Sequence, residues 1–309
     1  MSPRRQVPSR LFFYAYRGLL DEVGQEHSHA AVASITPERF QIVHTFPPDT
    51  FERWELVSSA ANAGKRWLFF HNLNTHKTMT GFINSDFQFV ESAPPPAPPD
   101  HVRVLSRHGP YQFAAVDGSG FLLLAASLIQ PAGHCRVTRA QVLPDGRFHP
   151  IHTSIIEIPI PASLIGNTSI VGLREGHAWL SGPFLPSPAP DTSTVYILMN
   201  GQIVSSRTWS PSWSGMVAHE DSLLLFDTFG KRGEICSLDA GHNLVTTAVL
   251  GPSTFPRSFY FVANAPRALL AYDYSTGWAQ VRALGQGAFT PTTGANLSLS
   301  WGWQFITAC

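Results

Sequence analysis

Charge is scarce in this chain. Only 14% of its 309 residues are Asp, Glu, Lys or Arg, and 21 basic residues balance 21 acidic ones. A nucleic-acid binder needs a basic face for the phosphates, so that class of partner is not expected. Cysteine is scarce too. Cys135, Cys236 and Cys309 are odd in number and far apart, which speaks against a disulfide framework and against the paired spacing of a metal site. No apolar run approaches the ~18 residues of a membrane span. The N-terminal MSPRRQVPSRLFFYAYRG has basic residues but no apolar core or small-residue cleavage site, so it does not read as a secretory signal and a cytoplasmic location is expected. The signatures GxSxG, GxGxxG, the P-loop and HExxH are missing from the sequence.

Turn formers and apolar residues are what the chain does have. Pro (25) and Gly (24) are abundant and 44% of residues are hydrophobic, a composition that points to many turns, few long helices and an all-β fold. The clearest stretch is Trp213–Pro252. Its apolar runs Trp213–Ala218, Leu223–Asp227, Ile235–Leu238 and Leu244–Leu250 alternate with the polar turns His219–Asp221, Gly230–Gly233 and Asp239–Gly241. Four strands joined by tight turns within about 40–45 residues have the size of a propeller blade. A second copy follows at a fixed offset. Phe259, Leu270 and Asp273 lie 46 residues after Trp213, Leu224 and Asp227. The shared position of Asp227 and Asp273 implies turn capping for both.

Weaker copies fill the rest of the chain. The expected blades span 54–91, 102–160, 167–210, 213–251 and 257–292, with second strands beginning near 67, 121, 178, 223 and 268. Asn200-Gly201 between two apolar runs is the strongest hairpin signal. The proline-rich stretches 91–100 and 182–191 read as loop insertions. Residues 10–47 supply only three strands, and LSLSWGWQFITAC at 297–309 supplies one. Pairing the two ends completes a sixth blade from 298–309 plus 10–47 and leaves no open sheet edge. The expected fold is therefore one six-bladed β-propeller domain over residues 1–309.

This layout resembles the six-bladed propellers of the fungal fucose-lectin and tachylectin type. The resemblance lies in the repeat layout over the whole chain. It implies sugar sites between blades, built in those lectins from a repeated Arg, Glu and aromatic. In this sequence Arg, Glu and Trp do not recur together at matching positions.

A propeller's ligand sites usually lie on the face formed by the loops that lead into the first strands and by those between second and third strands. The blade-start residues there include Arg53, Trp54, Glu55, Tyr111, Trp213, Arg257, Phe259, Trp301 and Trp303. The second loops add Tyr16, His71, Asn72, His76, His134, Asp227 and Tyr272. Trp54, Trp213, Phe259, Trp301 and Trp303 are the candidate ligand contacts, and His71, Tyr111 and Arg257 the candidate catalytic groups. A single His near the channel has a pKa suited to acid–base work. An aromatic at a fixed blade position also serves as a wedge between sheets, but Trp301 and Trp303 are two where one wedge suffices. His71 and His76 alone do not make a metal site, and no metal or cofactor is expected. Three functions follow in order. The first is one aromatic-lined site for a mostly apolar small molecule, in the manner of a cofactor-free cyclase or cycloaddition enzyme of secondary metabolism. The second is a lectin that binds a glycan, and the third a protein-interaction scaffold. The sequence does not fix the oligomeric state.

Overall fold

The computed structural model describes residues 9–20, 26–62, 64–75, 77–92, 113–117, 119–127, 134–157, 169–181, 192–219, 222–227, 230–255, 261–265, 268–273, 275–285, 288–292, 297–299 and 302–309. The strands in chain order are β1 (Ser9–Leu20), β2 (Glu26–Ile35), β3 (Phe40–Thr45), β4 (Leu56–Asn62), β5 (Lys65–His71), β6 (Thr78–Ile83) and β7 (Phe89–Glu91). Then come β8 (Phe113–Val116), β9 (Phe121–Ser127), β10 (His134–Val142), β11 (Phe148–Glu157), β12 (Ser169–Gly172), β13 (His177–Ser181), β14 (Ser193–Met199) and β15 (Gln202–Trp209). The last are β16 (Gly215–His219), β17 (Ser222–Asp227), β18 (Arg232–Leu238), β19 (Leu244–Leu250), β20 (Phe261–Ala265), β21 (Ala268–Tyr272), β22 (Trp278–Gly285), β23 (Ala288–Pro291), β24 (Leu297–Ser298) and β25 (Phe305–Ala308). Among the described residues the only helical turn is Pro252–Thr254, and no helix is long and apolar enough to cross a membrane.

These strands form six antiparallel sheets, and the fold is the expected six-bladed propeller. Blades two to six are β4–β7, β8–β11, β12–β15, β16–β19 and β20–β23. Blade one is closed by the two ends of the chain. Leu11 to Tyr14 of β1 pair in register with Ala308 to Phe305 of β25, which becomes the innermost strand. The six innermost strands touch around the ring in the order β25, β4, β8, β12, β16, β20 and back to β25. One detail differs from expectation. Leu297 and Ser298 pair with Ala279 and Trp278 of β22 in blade six, so only the last strand of the 297–309 stretch belongs to blade one.

The packing explains why each second strand is apolar without alternation. Such a strand is covered on both faces, by the blade before and the blade after, so residues of both parities are buried. In β1, Leu11, Phe13 and Ala15 pack against Leu270 and Tyr272 of blade six. Phe12 and Tyr14 turn the other way, onto Leu68 and Phe70 of blade two. The same division recurs at every interface. Trp67 and Phe69 meet Leu122 and Leu124, Leu123 and Ala125 meet Trp179, Ala178 and Leu180 meet Leu223 and Leu225, and Leu224 and Phe226 meet Leu269 and Ala271. The outer strands β15 and β19 are paired on one edge only, and their burial alternates. In β15 and β19 exposed and partly covered residues take turns, with Val249 76% exposed.

The turns obey the chemistry read from the sequence. Asn200 (φ 52°) and Gly201 (φ 76°) both take the left-handed conformation of a two-residue hairpin. Asp227 Oδ1 accepts the Gly230 N–H at 3.0 Å, and Asp273 Oδ1 accepts the Ser275 N–H at 2.9 Å. Both are turn caps.

One buried titratable group sits at an inter-blade contact. His177, at the start of β13, is 1% exposed, and burial pushes its pKa from 6.5 down to about 4 against the opposing pull of Asp117. The unfolded chain takes up this proton below about pH 6.5, whereas the folded chain resists until about pH 4. The stability that this difference supplies is complete above pH 6.5 and is lost as pH falls through that window, by roughly 3 kcal/mol. Urea midpoints measured from pH 7.5 to 4.5 should decline steeply in wild type and less so in His177→Gln. An equal decline in both would show that His177 is not the group responsible.

Candidate functional site

The ring has two unlike ends. At one end every described connection is short, from two residues at 200–201 to five at 239–243. At the other end the ten-residue connection 46–55 leads from blade one into blade two, and 72–77 joins β5 to β6. Loops placed on a rigid scaffold are where binding groups concentrate, so this end is the candidate functional face.

Its best described part lies where blade one meets blade two. Asp49 takes φ 58° in the turn after β3, a conformation that Asp tolerates better than most residues. There its Oδ1 accepts the Ser28 N–H at 2.9 Å, and its Oδ2 lies 2.5 Å from His27 Nδ1. These bonds, the one to His27 first, hold the Asp49 carboxyl below its usual range. A carboxylate on Nδ1 fixes the proton there and makes Nε2 the basic nitrogen of the ring. Neighbouring His29 has its pKa lowered by burial and by His27. Around this pair stand Arg53 with Glu26 at 2.8 Å, and Lys77 with Glu52 at 3.5 Å. Glu55 accepts the Leu73 N–H at 3.0 Å and Asn74 Nδ2 at 3.2 Å. Asn72 donates to the Arg53 carbonyl at 2.8 Å. The described surface at this corner is thus acidic, basic and amide in character. Among the described residues no three His, Cys, Asp or Glu side chains are gathered to hold a metal ion.

The expected aromatic contacts take a different place. Trp54 is 3% exposed and packs 5.9 Å from Phe70 in the interface between blades one and two. Trp213, also 3% exposed, lies between blades four and five under the Arg232 guanidinium at 4.3 Å. Trp303, 9% exposed, lies between blades six and one and meets Phe13 edge-on at 5.6 Å. Each is pinned through its own backbone N–H to the preceding blade. Tyr14 Oη accepts from Trp54 at 2.9 Å, Tyr272 Oη from Trp303 at 3.2 Å, and Ser193 Oγ from Trp213 at 3.1 Å. Burial raises the pKa of Tyr14 well above the ordinary phenol value and that of Tyr272 to about 12, so both stay protonated. The Tyr14 hydroxyl can then also donate to the Glu52 carbonyl at 2.6 Å.

His71 is fully buried at the end of β5. It lies parallel to Phe69, on the opposite side of the blade from Phe70 and Trp54. The four described candidates therefore are not brought together. Tyr111, Arg257, Phe259 and Trp301 lie outside the described residues, as does His76. The group that sequence reasoning missed is His27 with Asp49. They are 22 residues apart, on a strand and in a turn of one blade, and no local motif links them.

No family model and no curated protein sequence matches the chain. Solved structures do match it, over nearly the full length. A chain of a nidogen/laminin complex aligns with TM-score 0.53 and 11% identity over 97% of this chain and 98% of its own. A putative 6-phosphogluconolactonase from Bacteroides uniformis gives 0.50 and 12% over 98% and 100%, and one from Bacteroides fragilis 0.51 and 9% over 100% of both. At such identity the likeness is one of fold, and the class it defines is the six-bladed β-propeller.

The wedge geometry carries a stability cost that can be measured. Trp54→Ala should lower unfolding free energy by about 3–5 kcal/mol. Tyr14→Phe, which strips the Trp54 N–H and the Glu52 carbonyl of a partner, should cost about 1–3 kcal/mol. Urea unfolding of the two variants checks this. A Trp54→Ala protein as stable as wild type would show that the ring does not serve as a wedge.

Proposed function

We propose that the chain binds one small molecule at the long-connection end of the ring, and that the ligand is polar and rich in hydroxyl groups. The observation that carries this reading is the composition of the corner between blades one and two. Its exposed groups are Glu26, Glu52, Arg53 and Lys77, with the His27–Asp49 pair among them, while Phe51 and Trp54 beside them are buried. Paired charges and amides at a surface suit hydroxyl recognition through hydrogen bonds. A sugar or sugar-derived ligand fits that chemistry and keeps the carbohydrate-binding alternative raised by the repeat layout. Two solved structures of like fold bear the name putative 6-phosphogluconolactonase. The name agrees with a sugar-derived ligand but transfers no residue to this chain.

A catalytic use is the second reading, and the His27–Asp49 contact is what favours it. Nε2 can accept a proton from water as the water oxygen bonds to a lactone or ester carbonyl carbon. The same proton then passes to the alkoxide released when the C–O bond breaks. A cofactor-free cyclisation of an apolar ligand stands as the alternative. Its aromatic lining would have to come from Tyr111, Phe259 and Trp301.

Calorimetric titration with a glycan panel and with glucono-1,5-lactone tests the proposal. Saturable binding is expected, weakened about tenfold or more by Arg53→Ala or His27→Ala. Lactone hydrolysis that falls with His27→Ala would add the catalytic role. Binding of apolar polycyclic compounds alone, or sugar binding that neither substitution changes, would overturn the reading.

A further inference from the structure

The short-turn end of the ring holds a feature that the proposed function does not use. Blade one and blade two part there around a cleft of about 680 Å³. It is lined by the start of β1, the β4–β5 turn, the β6–β7 turn and the end of β25, including Arg10, Lys65, Arg66, Asn84, Ser85 and Cys309. A volume of this size suits a small metabolite. No Asp or Glu side chain is among the described residues that line it.

The charges are placed from both walls. Arg10 reaches across from blade one, where its Nη1 donates to the Asn84 carbonyl at 3.0 Å and its guanidinium stacks 4.8 Å from the Phe87 ring. These contacts with neutral groups fix its direction. Arg66 comes from blade two. Residues 66, 68 and 70 share one side of β5, and Leu68 and Phe70 on that side face blade one. Among the described residues its guanidinium has no ion pair. Both arginines line the same cleft as Cys309. Burial lowers the pKa of Arg66 against an opposing pull from Cys309, a sign that its charge is partly removed from water. Lys65 adds a third cation at the rim, held over the Phe82 ring at 4.4 Å.

Two forked donors facing one cleft, with no acidic side chain between them, match the geometry of a phosphate or carboxylate group. We propose that this cleft is a second binding site, for a small anionic molecule whose phosphate or carboxylate is held by Arg10 and Arg66. It stands at the opposite end of the ring from the site of the proposed function and does not depend on it.

The test is titration of the full chain with pyrophosphate and, separately, with citrate, at constant ionic strength set by sodium chloride, read by thermal shift and calorimetry. Saturable binding of at least one is expected, with pyrophosphate preferred if the group is a phosphate and citrate if it is a carboxylate. Arg66→Gln removes no described hydrogen bond and should fold. It should weaken that binding about tenfold or more, whereas Arg66→Lys should weaken it less. Lys77→Gln and His27→Ala, at the other end, should leave it unchanged. Absence of saturable binding in wild type, or equal affinity in wild type and Arg66→Gln, would overturn the proposal.

Discussion

A strand such as Leu223–Phe226 is apolar on both faces and can be kept from water only between two other sheets. Every blade of this chain is built around such a strand, so no blade can end the stack. A linear array of six would leave two apolar faces open, each with aromatic and aliphatic side chains of the kind that fill the interfaces. Closing the array into a ring removes both faces at once. Closure depends on β25, because the four pairs from Leu11–Ala308 to Tyr14–Phe305 join the two ends of the chain in one sheet.

That constraint decides where function can sit. The blade interfaces are filled, and the tryptophans that lead into the blades are part of the filling. What stays open are the two ends of the ring and the grooves where blades diverge. At one end the long connections and the His27–Asp49 pair make a polar corner. At the other, the meeting of chain ends and tight turns leaves a cleft with two arginines. Both features lie at the contact between blades one and two. Blade one is also the blade assembled from both ends of the sequence.

How far the sequence was legible follows from the range of each signal. The strands of blades five and six could be read because they repeat in register. Leu224 and Leu270 are both fully buried, and Asp227 and Asp273 cap equivalent turns. Closure could be read because three strands at one end require a fourth. Trp54, Trp213 and Trp303 are legible as residues that lead into blades, but their burial depends on the neighbouring blade, which one repeat does not reveal. The tyrosine hydroxyls that pin two of them lie a blade away in sequence, 40 residues from Trp54 and 31 from Trp303. His27 with Asp49, and Arg10 with Arg66 and Cys309, are juxtapositions made by the fold alone. No spacing rule finds them, because each joins residues from separate strands or turns, and the second brings together the two ends of the chain.

Ring closure is the claim on which the rest stands, and removal of the closing strand tests it most directly. A chain ending at residue 304 lacks β25 and the inner edge of blade one. The account predicts that it loses the single cooperative urea transition of the full chain and exposes apolar surface that binds a hydrophobic dye. It also predicts that a synthetic peptide of residues 305–309 added in excess restores part of the transition. A truncated chain that unfolds at the same urea concentration, with the same cooperativity and no dye binding, would contradict it.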